Sequence, residues 1–379
     1  MKICIDIRSI FSKIKSGVPL YTENLVKELI KINKIQKRNE LLFFINSFKK
    51  QNIPDFLEKE KTVNFYIPNR ILNVIGYFFS FPKIDRIIDA DIFYSTHMDI
   101  FPLADEKKHI LNIYDISFLY FPEFFSIKKR IWQKAQKIEK QIKYARKIIT
   151  PSEFTKKTII DFYKINENKI EVVYPGISDL YQKIENKNDL KKFKESFGIN
   201  FPFILSVGTI EPRKNYPEII EALKLIKTKK RFSDYKLIIV GAIGWKYKNI
   251  LKMASQKSVK NDIIFWGRGK DEELLYLYNL ADLFIYPSFF EGFGFPPLEA
   301  QICGTPVIAS NRSSLPEVLA KSALLVDPYK VYELADTICE ILDNEKIRKN
   351  LIASGYQNSS KFKWNEAATK ILKIIEENG

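Results

Sequence analysis

Two glutamates, Glu291 and Glu299, are separated by seven intervening residues in the stretch FFEGFGFPPLEAQICGTP, residues 289–306. An ionised carboxylate accepts several hydrogen bonds and so suits the vicinal hydroxyls of a sugar or ribose. Gly292 and Gly294 follow Glu291 closely and let an anionic ligand approach the backbone. Pro296 and Pro297 predict a helix opening at this point, because proline tolerates the first turn, where its missing N–H would lack a partner anyway. The free N–H groups and positive dipole end of such a helix, near Gly294 and Phe295, favour phosphate. One stretch thus offers places for a diphosphate and for the hydroxyls of a nucleotide-sugar. Glu299 taken alone reads equally well as an acid that offsets a helix dipole. A merely structural junction, however, needs neither two glutamates nor two spaced glycines.

A second set of chemistry-bearing residues is SVGTIEPRKN, residues 206–215, directly after the apolar run FILSV. Arg213 and Lys214 stand in a predicted strand-to-helix turn that Gly208 and Thr209 open. Two cations placed so could clamp a diphosphate and offset charge on a departing phosphate. The plainer alternative is a solvated turn with two ordinary charges.

The segment EGFGFPPLEAQICGTPVIAS closely resembles the glutamate–seven residues–glutamate motif of family 4 glycosyltransferases, also called the group 1 family. The resemblance covers nearly the whole chain, specific in the second half and looser in the first. It implies a GT-B fold, two doubly wound Rossmann-like domains facing each other across a cleft. It also implies transfer of a hexose from a nucleoside diphosphate sugar, with retention at the anomeric carbon. In that scheme Lys214 contacts the diphosphate, and Arg213 supplies the second charge that many relatives carry where this chain has Thr209. Glu291 holds hydroxyls of the donor sugar and Glu299 those of the ribose, with Gly292, Phe293, Gly294 and Phe295 beside the donor. Gly267, Arg268 and Gly269 lie near the base, Ser313–Glu317 shape the wall behind the donor, and Gly17 and Val18 face its phosphates. Many relatives have His-Asp where this chain has Tyr114-Asp115. Tyrosine donates a hydrogen bond but carries no proton near neutral pH as imidazole does. His97 is the nearby substitute, with a structural role as its alternative, and Asp115 is expected to meet the acceptor hydroxyl. GDP-mannose is the favoured donor, with UDP-sugars next, and the acceptor is a glycan or a lipid-linked glycan. The resemblance further predicts that Glu291→Gln lowers turnover far more than stability.

Such residues need elements to hold them. At 379 residues the chain exceeds what one core usually supports, so two domains are expected, 1–180 and 181–360, with the terminal helix, 361–379, returning to the first as the resemblance implies. Apolar runs without alternation (KICIDI, LLFFI, ADIFYS, HILNIYD, KIIT, then FILSVG, KLIIVG, IIFWG, LFIYPS, TPVIAS and ALLVD) are separated by helical patterns. That pattern predicts α/β architecture with parallel sheets covered on both faces. No G-x-G-x-x-G follows the first run and no GxxxxGK[ST] occurs, which argues against a nicotinamide cofactor and a P-loop nucleotidase. Three scattered cysteines and two histidines predict neither a disulfide framework nor a zinc site, so no metal and no cofactor is expected.

The opening MKICIDIRS reaches Asp6 and Arg8 too soon for a signal peptide, and no window approaches a membrane span. A cytoplasmic protein is expected, peripheral at the inner face of the plasma membrane if it binds lipid. The net charge of +16 attracts anions of several kinds, or reflects composition alone. From Lys128 to Lys147 the sequence reads as one basic amphipathic helix, with Ile131, Ala135, Ile138, Ile142, Ala145 and Ile149 in a stripe. Its basic face is either simply solvated or a contact for anionic lipid, to which the apolar stretch Ile71–Phe81 would add insertion. The competing activities are another GT-B chemistry, such as a nucleotide-sugar epimerase or a phosphorylase. Nucleic-acid binding rests on charge alone, since no aromatic–basic platform or zinc spacing accompanies it, and none is expected.

Overall fold

A computed structural model describes residues 1–12, 17–48, 52–79 and 81–379. The chain divides into two compact units, the first of Met1–Ile116, Ile127–Gly176 and Lys363–Gly379, the second of Ser117–Ser126 and Ile177–Phe362. Each is built on one parallel sheet. The first sheet contains β1 (Lys2–Asp6), β2 (Glu40–Ile45), β3 (Lys61–Asn64), β4 (Ile92–Ser95), β5 (His109–Asn112), β6 (Lys147–Thr150) and β7 (Ile170–Val172) in the order β3-β2-β1-β4-β5-β6-β7. The second contains β8 (Phe203–Val207), β9 (Lys236–Val240), β10 (Ile263–Gly267), β11 (Leu283–Tyr286), β12 (Val307–Ser310) and β13 (Leu324–Val326) in the order β10-β9-β8-β11-β12-β13.

Central strands are mostly apolar because helices cover both faces of the sheets; every residue of β4, β5, β11 and β12 is buried. The apolar runs therefore become strands almost residue for residue. Two edge strands escape such a reading. KTVN in β3 is partly exposed throughout, and IEV in β7 has only three residues, so neither shows a buried strand's signature.

In each sheet the order reverses once, between β1 and β4 in the first unit and between β8 and β11 in the second. At such a reversal the loops leaving the carboxyl ends of neighbouring strands diverge and open a crevice for ligand. Both candidate sites sit at these points.

Two features depart from the sequence reading. A single boundary near 180 does not foresee that Ser117–Ser126 groups with the second unit. The reason is aromatic: Tyr120 stacks on Phe290 at 5.8 Å, and Phe125 stacks on Trp245 at 5.7 Å. The basic stretch is not one helix. It forms Ile127–Ala135 and Ile138–Tyr144, broken at Lys137, whose φ of 48° interrupts the ladder. Of the expected stripe, Ile138, Ile142 and Ala145 are buried, Ile149 belongs to β6, and Ile131 is 63% exposed. The apolar stretch Ile71–Phe81 lies mostly in a helix, Asn69–Phe79, with residue 80 outside the described residues. The terminal helix, Trp364–Glu376, belongs to the first unit, where Trp364 meets Tyr21 edge-on at 5.1 Å.

Candidate functional site

The loops after β8 and β11 bring four charges together. Glu291 Oε1 accepts from Lys214 Nζ at 2.7 Å, and its Oε2 lies 2.7 Å from Arg213 Nη1. Arg213 also donates through Nε and Nη2 to Glu211 Oε1, at 3.1 and 2.9 Å, and through Nη1 to the Phe290 carbonyl at 2.7 Å. The side chains are between 2% and 16% exposed. Lys214 additionally donates to the Tyr286 hydroxyl and lies over that ring, 4.6 Å from its centre.

Burial pushes the Glu291 carboxyl up, but the Arg213 and Lys214 charges more than offset this and hold it at about 2. Burial pulls the Lys214 ammonium below its ordinary value, and Arg213 adds to that, with Glu291 opposing. Glu291 is therefore ionised at any physiological pH, and a carboxylate accepts up to about four hydrogen bonds, more than its two ion pairs use.

The local sequence explains why the carboxylate points here. Glu291 N–H donates to Ser313 Oγ at 3.0 Å, while Ser314 Oγ donates to the carbonyls of Glu291 and Phe293, at 2.9 and 3.0 Å. The expected wall, Ser313–Glu317, thus pins the backbone of Glu291 through its first two residues. Gly292 and Phe293 are buried in the turn, and Gly294 caps the helix Phe295–Ile302 with φ of 101°. That φ favours glycine, and a Cβ at Gly294 would come within 2.7 Å of Leu315 Cδ2 and push that side chain aside. Pro296 and Pro297 occupy the first turn, as their missing N–H groups allow.

Behind the cluster, the loops after β8 and β9 approach closely. A Cβ on Gly241 would lie 1.9 Å from the Gly208 carbonyl, which also accepts from Tyr216 Oη at 2.6 Å. Gly208 N–H donates to the Val240 carbonyl, and Thr209 is half-buried beside it. Gly267 and Arg268 are exposed at the end of β10, two strands from β8.

Glu299 is not part of the ion cluster. It lies on the Phe295–Ile302 helix and accepts from Tyr278 Oη at 2.9 Å. Burial pushes its carboxyl up to about 7, with the Tyr278 hydrogen bond opposing. Tyr278 is fully buried and also holds this carboxylate.

The first unit has its own polar cluster at the β1/β4 reversal. Arg8 donates to Asp6 through Nε and Nη2, at 2.9 and 2.6 Å, and both are buried. His97 Nε2 lies 3.6 Å from Asp6 Oδ2 and 3.5 Å from Asp99 Oδ2, with no hydrogen-bond partner among the described residues. Thr96 Oγ1 donates to the Asp6 carbonyl at 2.7 Å and ties the two loops together. Tyr114 donates its hydroxyl to the Thr96 carbonyl at 2.5 Å and meets Tyr21 edge-on at 4.8 Å, so its phenol is held by its own unit. Asp115 is half-buried just beyond. Gly17 and Val18 begin the helix Gly17–Gln36, immediately after residues outside the described set.

Sequence reasoning overlooked Glu211, Tyr286, Asp6 and Arg8. A signal existed for the last two, since a buried charge pair directly after an apolar run has to be compensated. Two further acids, Asp89 and Asp91, stand with one residue between them before β4. Both acids are engaged by Lys2, Asp89 with its Nζ and Asp91 with its backbone N–H. Among the described residues no group of three His, Cys, Asp or Glu could hold a metal ion.

Two parallel sheets with ligand-type loops at their reversals define a class that solved structures share. The Anabaena protein Alr3699/HepE, solved in complex with UDP and glucose, matches with a TM-score of 0.73 at 19% identity, covering 100% of both chains. The fold is that of the GT-B glycosyltransferases.

The family follows from sequence relatives. The model of "Glycosyltransferase Family 4" matches residues 17–179, and that of "Glycosyl transferases group 1" matches residues 187–358. The O-antigen chain mannosyltransferase B of Escherichia coli is 30% identical over 71% of this chain and 70% of its own length. The O-antigen chain mannosyltransferase RfbU of Salmonella typhimurium is 30% identical over 72% and 75%. The chain belongs to the group 1 glycosyltransferases and is a glycosyltransferase.

Proposed function

We propose that the chain transfers a hexose, mannose in the first place, from a nucleoside diphosphate sugar to a glycan or lipid-linked glycan, with retention at the anomeric carbon. The observation that carries this is the buried Glu291 carboxylate between Arg213 and Lys214, beside the turn and helix start at Gly294–Phe295. The names of the relatives support mannose, and the UDP and glucose in HepE support a nucleotide-sugar as donor class. GDP-mannose is the first choice and UDP-sugars the second.

In this reading the two cations and the backbone N–H groups of Gly294 and Phe295 stabilise the departing diphosphate. Glu291, locked by its ion pairs, offers its remaining lone pairs to donor-sugar hydroxyls. Preorganised charge of this kind lowers the barrier without reorganising during reaction. Glu299, once ionised, accepts the ribose hydroxyls. In the first unit, His97 and Asp115 meet the acceptor. Tyr114 is the weaker choice, because its hydroxyl already serves Thr96. A lipid-linked acceptor would bring the chain to the cytoplasmic face of an anionic membrane.

Nucleoside diphosphate release from a panel of nucleotide-sugars, with and without glycan and polyprenyl-linked acceptors, tests the reading. GDP-mannose is expected to turn over fastest, and the product anomer, followed by NMR, should match that of the donor. Failure to release nucleotide from any donor with any acceptor, or an inverted anomer, would overturn it.

A further inference from the structure

The first unit exposes an apolar surface that its own core does not use. In the Asn69–Phe79 helix, Leu72 and Gly76 face inward, whereas Ile71, Val74 and Phe78, at positions i, i+3 and i+7, are 49%, 56% and 70% exposed. Phe79 and Phe81 extend this face, at 76% and 60%. A helix apolar on both sides normally has cover on both.

The Ile127–Ala135 helix shows the same in a basic setting. It has no buried residue, and its Ile127, Ile131 and Trp132 are 74%, 63% and 48% exposed. Lys128, Lys129, Arg130 and Lys134 accompany them, without an acid. A nine-residue helix with so little buried surface is marginal in water on its own.

Both helices approach the same residue, Ile100. Gly76 packs against Ile100 and Pro102, and Ile100 N–H donates to Gln136 Oε1 at 3.1 Å, just past the end of the basic helix. A depression lined by Gly76, Ile100, Pro102, Gln136 and Lys140 lies between the first helix and the residues that follow the second.

We propose that these two helices form one docking surface for an anionic phospholipid bilayer, the first inserting Val74, Phe78 and Phe79 among acyl chains and the second placing its cations at the headgroups. Charge decides between occupants. A second copy of the chain would set lysines against lysines, whereas anionic headgroups neutralise them at about 1 kcal/mol per cation, roughly fivefold in partitioning. Trp132 beside the basic residues suits the interface between headgroup and hydrocarbon. The surface specifies the membrane partner of the proposed function, yet binding there needs neither donor nor acceptor.

The full chain is floated with vesicles of phosphatidylcholine, with and without phosphatidylglycerol, at low and high salt. Binding is expected only with the anionic lipid and should fall as salt rises. The combined variant Val74→Ser, Phe78→Ser and Phe79→Ser should lose about tenfold or more in partitioning, and so should Lys128→Gln, Arg130→Gln and Lys134→Gln combined. All six residues are exposed, so unchanged circular dichroism and unchanged nucleotide-sugar turnover with a soluble acceptor should accompany the loss. No binding at low salt, equal binding to neutral vesicles, or full binding by either variant would overturn the proposal. A concentration-dependent dimer that disappears in the first variant, without vesicle binding, would overturn it in favour of a second copy. Each of these results leaves sugar transfer to be judged on its own assay.

Discussion

Glu291 has two cations as partners, and that alters what its replacement should do. From sequence alone, Glu291→Gln threatens turnover and little else. In the structure the same change leaves Arg213 and Lys214 buried with one fewer counter-charge, and breaking a buried pair costs on the order of 3 kcal/mol. Urea denaturation at pH 7 should show a loss of that order, alongside a fall in turnover. Because the folded carboxyl sits at about 2, below its ordinary 4.5, its contribution is complete above 4.5 and disappears as the pH falls toward 2. The gap between the native chain and the variant should therefore close on acidification; a gap that stays constant down to pH 2 would contradict the ion cluster. Glu299 has the opposite sign. Its folded value of about 7 lies above 4.5, so folding favours the neutral acid, and that stability is lost as pH rises through 7. Relative to Glu299→Gln, the native chain should lose stability between pH 4.5 and 7, while its affinity for a nucleoside diphosphate rises over the same range, as ribose hydroxyls require the carboxylate. Calorimetric titration at pH 6 and 8 reads the second effect, and equal affinities would remove Glu299 from the ribose.

Loops after neighbouring strands, rather than any single motif, make the site. β8 delivers Glu211, Arg213 and Lys214, and β11 delivers Glu291, because these two strands flank the point where the sheet order reverses. The turn between β11 and the Phe295–Ile302 helix depends on Gly294, whose φ of 101° is costly for any other residue. Gly294→Ala should cost at least about 1 kcal/mol in strain and displace Leu315, lowering both melting temperature and donor affinity. An alanine variant with native stability would show that the turn tolerates a Cβ. The glycines and prolines of this element were legible in the sequence, since their backbone requirements are local. The partner loop was legible only as a turn with two charges, because nothing local says which carboxylate those charges will meet. The basic stretch failed as one helix for a related reason: three-four spacing ran on through Lys137 into β6, and periodicity does not register where tertiary packing takes over.

Two units, each with a core of its own, set the expectations for the molecule as a whole. Since every residue of the ion cluster belongs to the second unit, a nucleoside diphosphate should stabilise that unit chiefly. At a ligand concentration about 100-fold above its Kd, the gain is about 2.7 kcal/mol. Calorimetry should show the transition of one unit shifting upward with GDP or UDP, and a scan unmoved by either would take the donor away from this site. What the sequence determined by itself was whatever depends on neighbours in the chain. Apolar runs specified parallel strands, glycine and proline specified the turn before a helix, and the spacing of Glu291 and Glu299 specified a family. Only the tertiary structure decided what depends on residues far apart in the chain. Glu291 is 77 residues from Lys214, and their meeting at 2.7 Å follows from strand order. So do the burial that separates the two glutamates in acidity, the capture of Ser117–Ser126 by the aromatics of the second unit, and the apolar helix faces left outside the core. Composition and periodicity carry no distances between strands, and electrostatics and packing are functions of those distances.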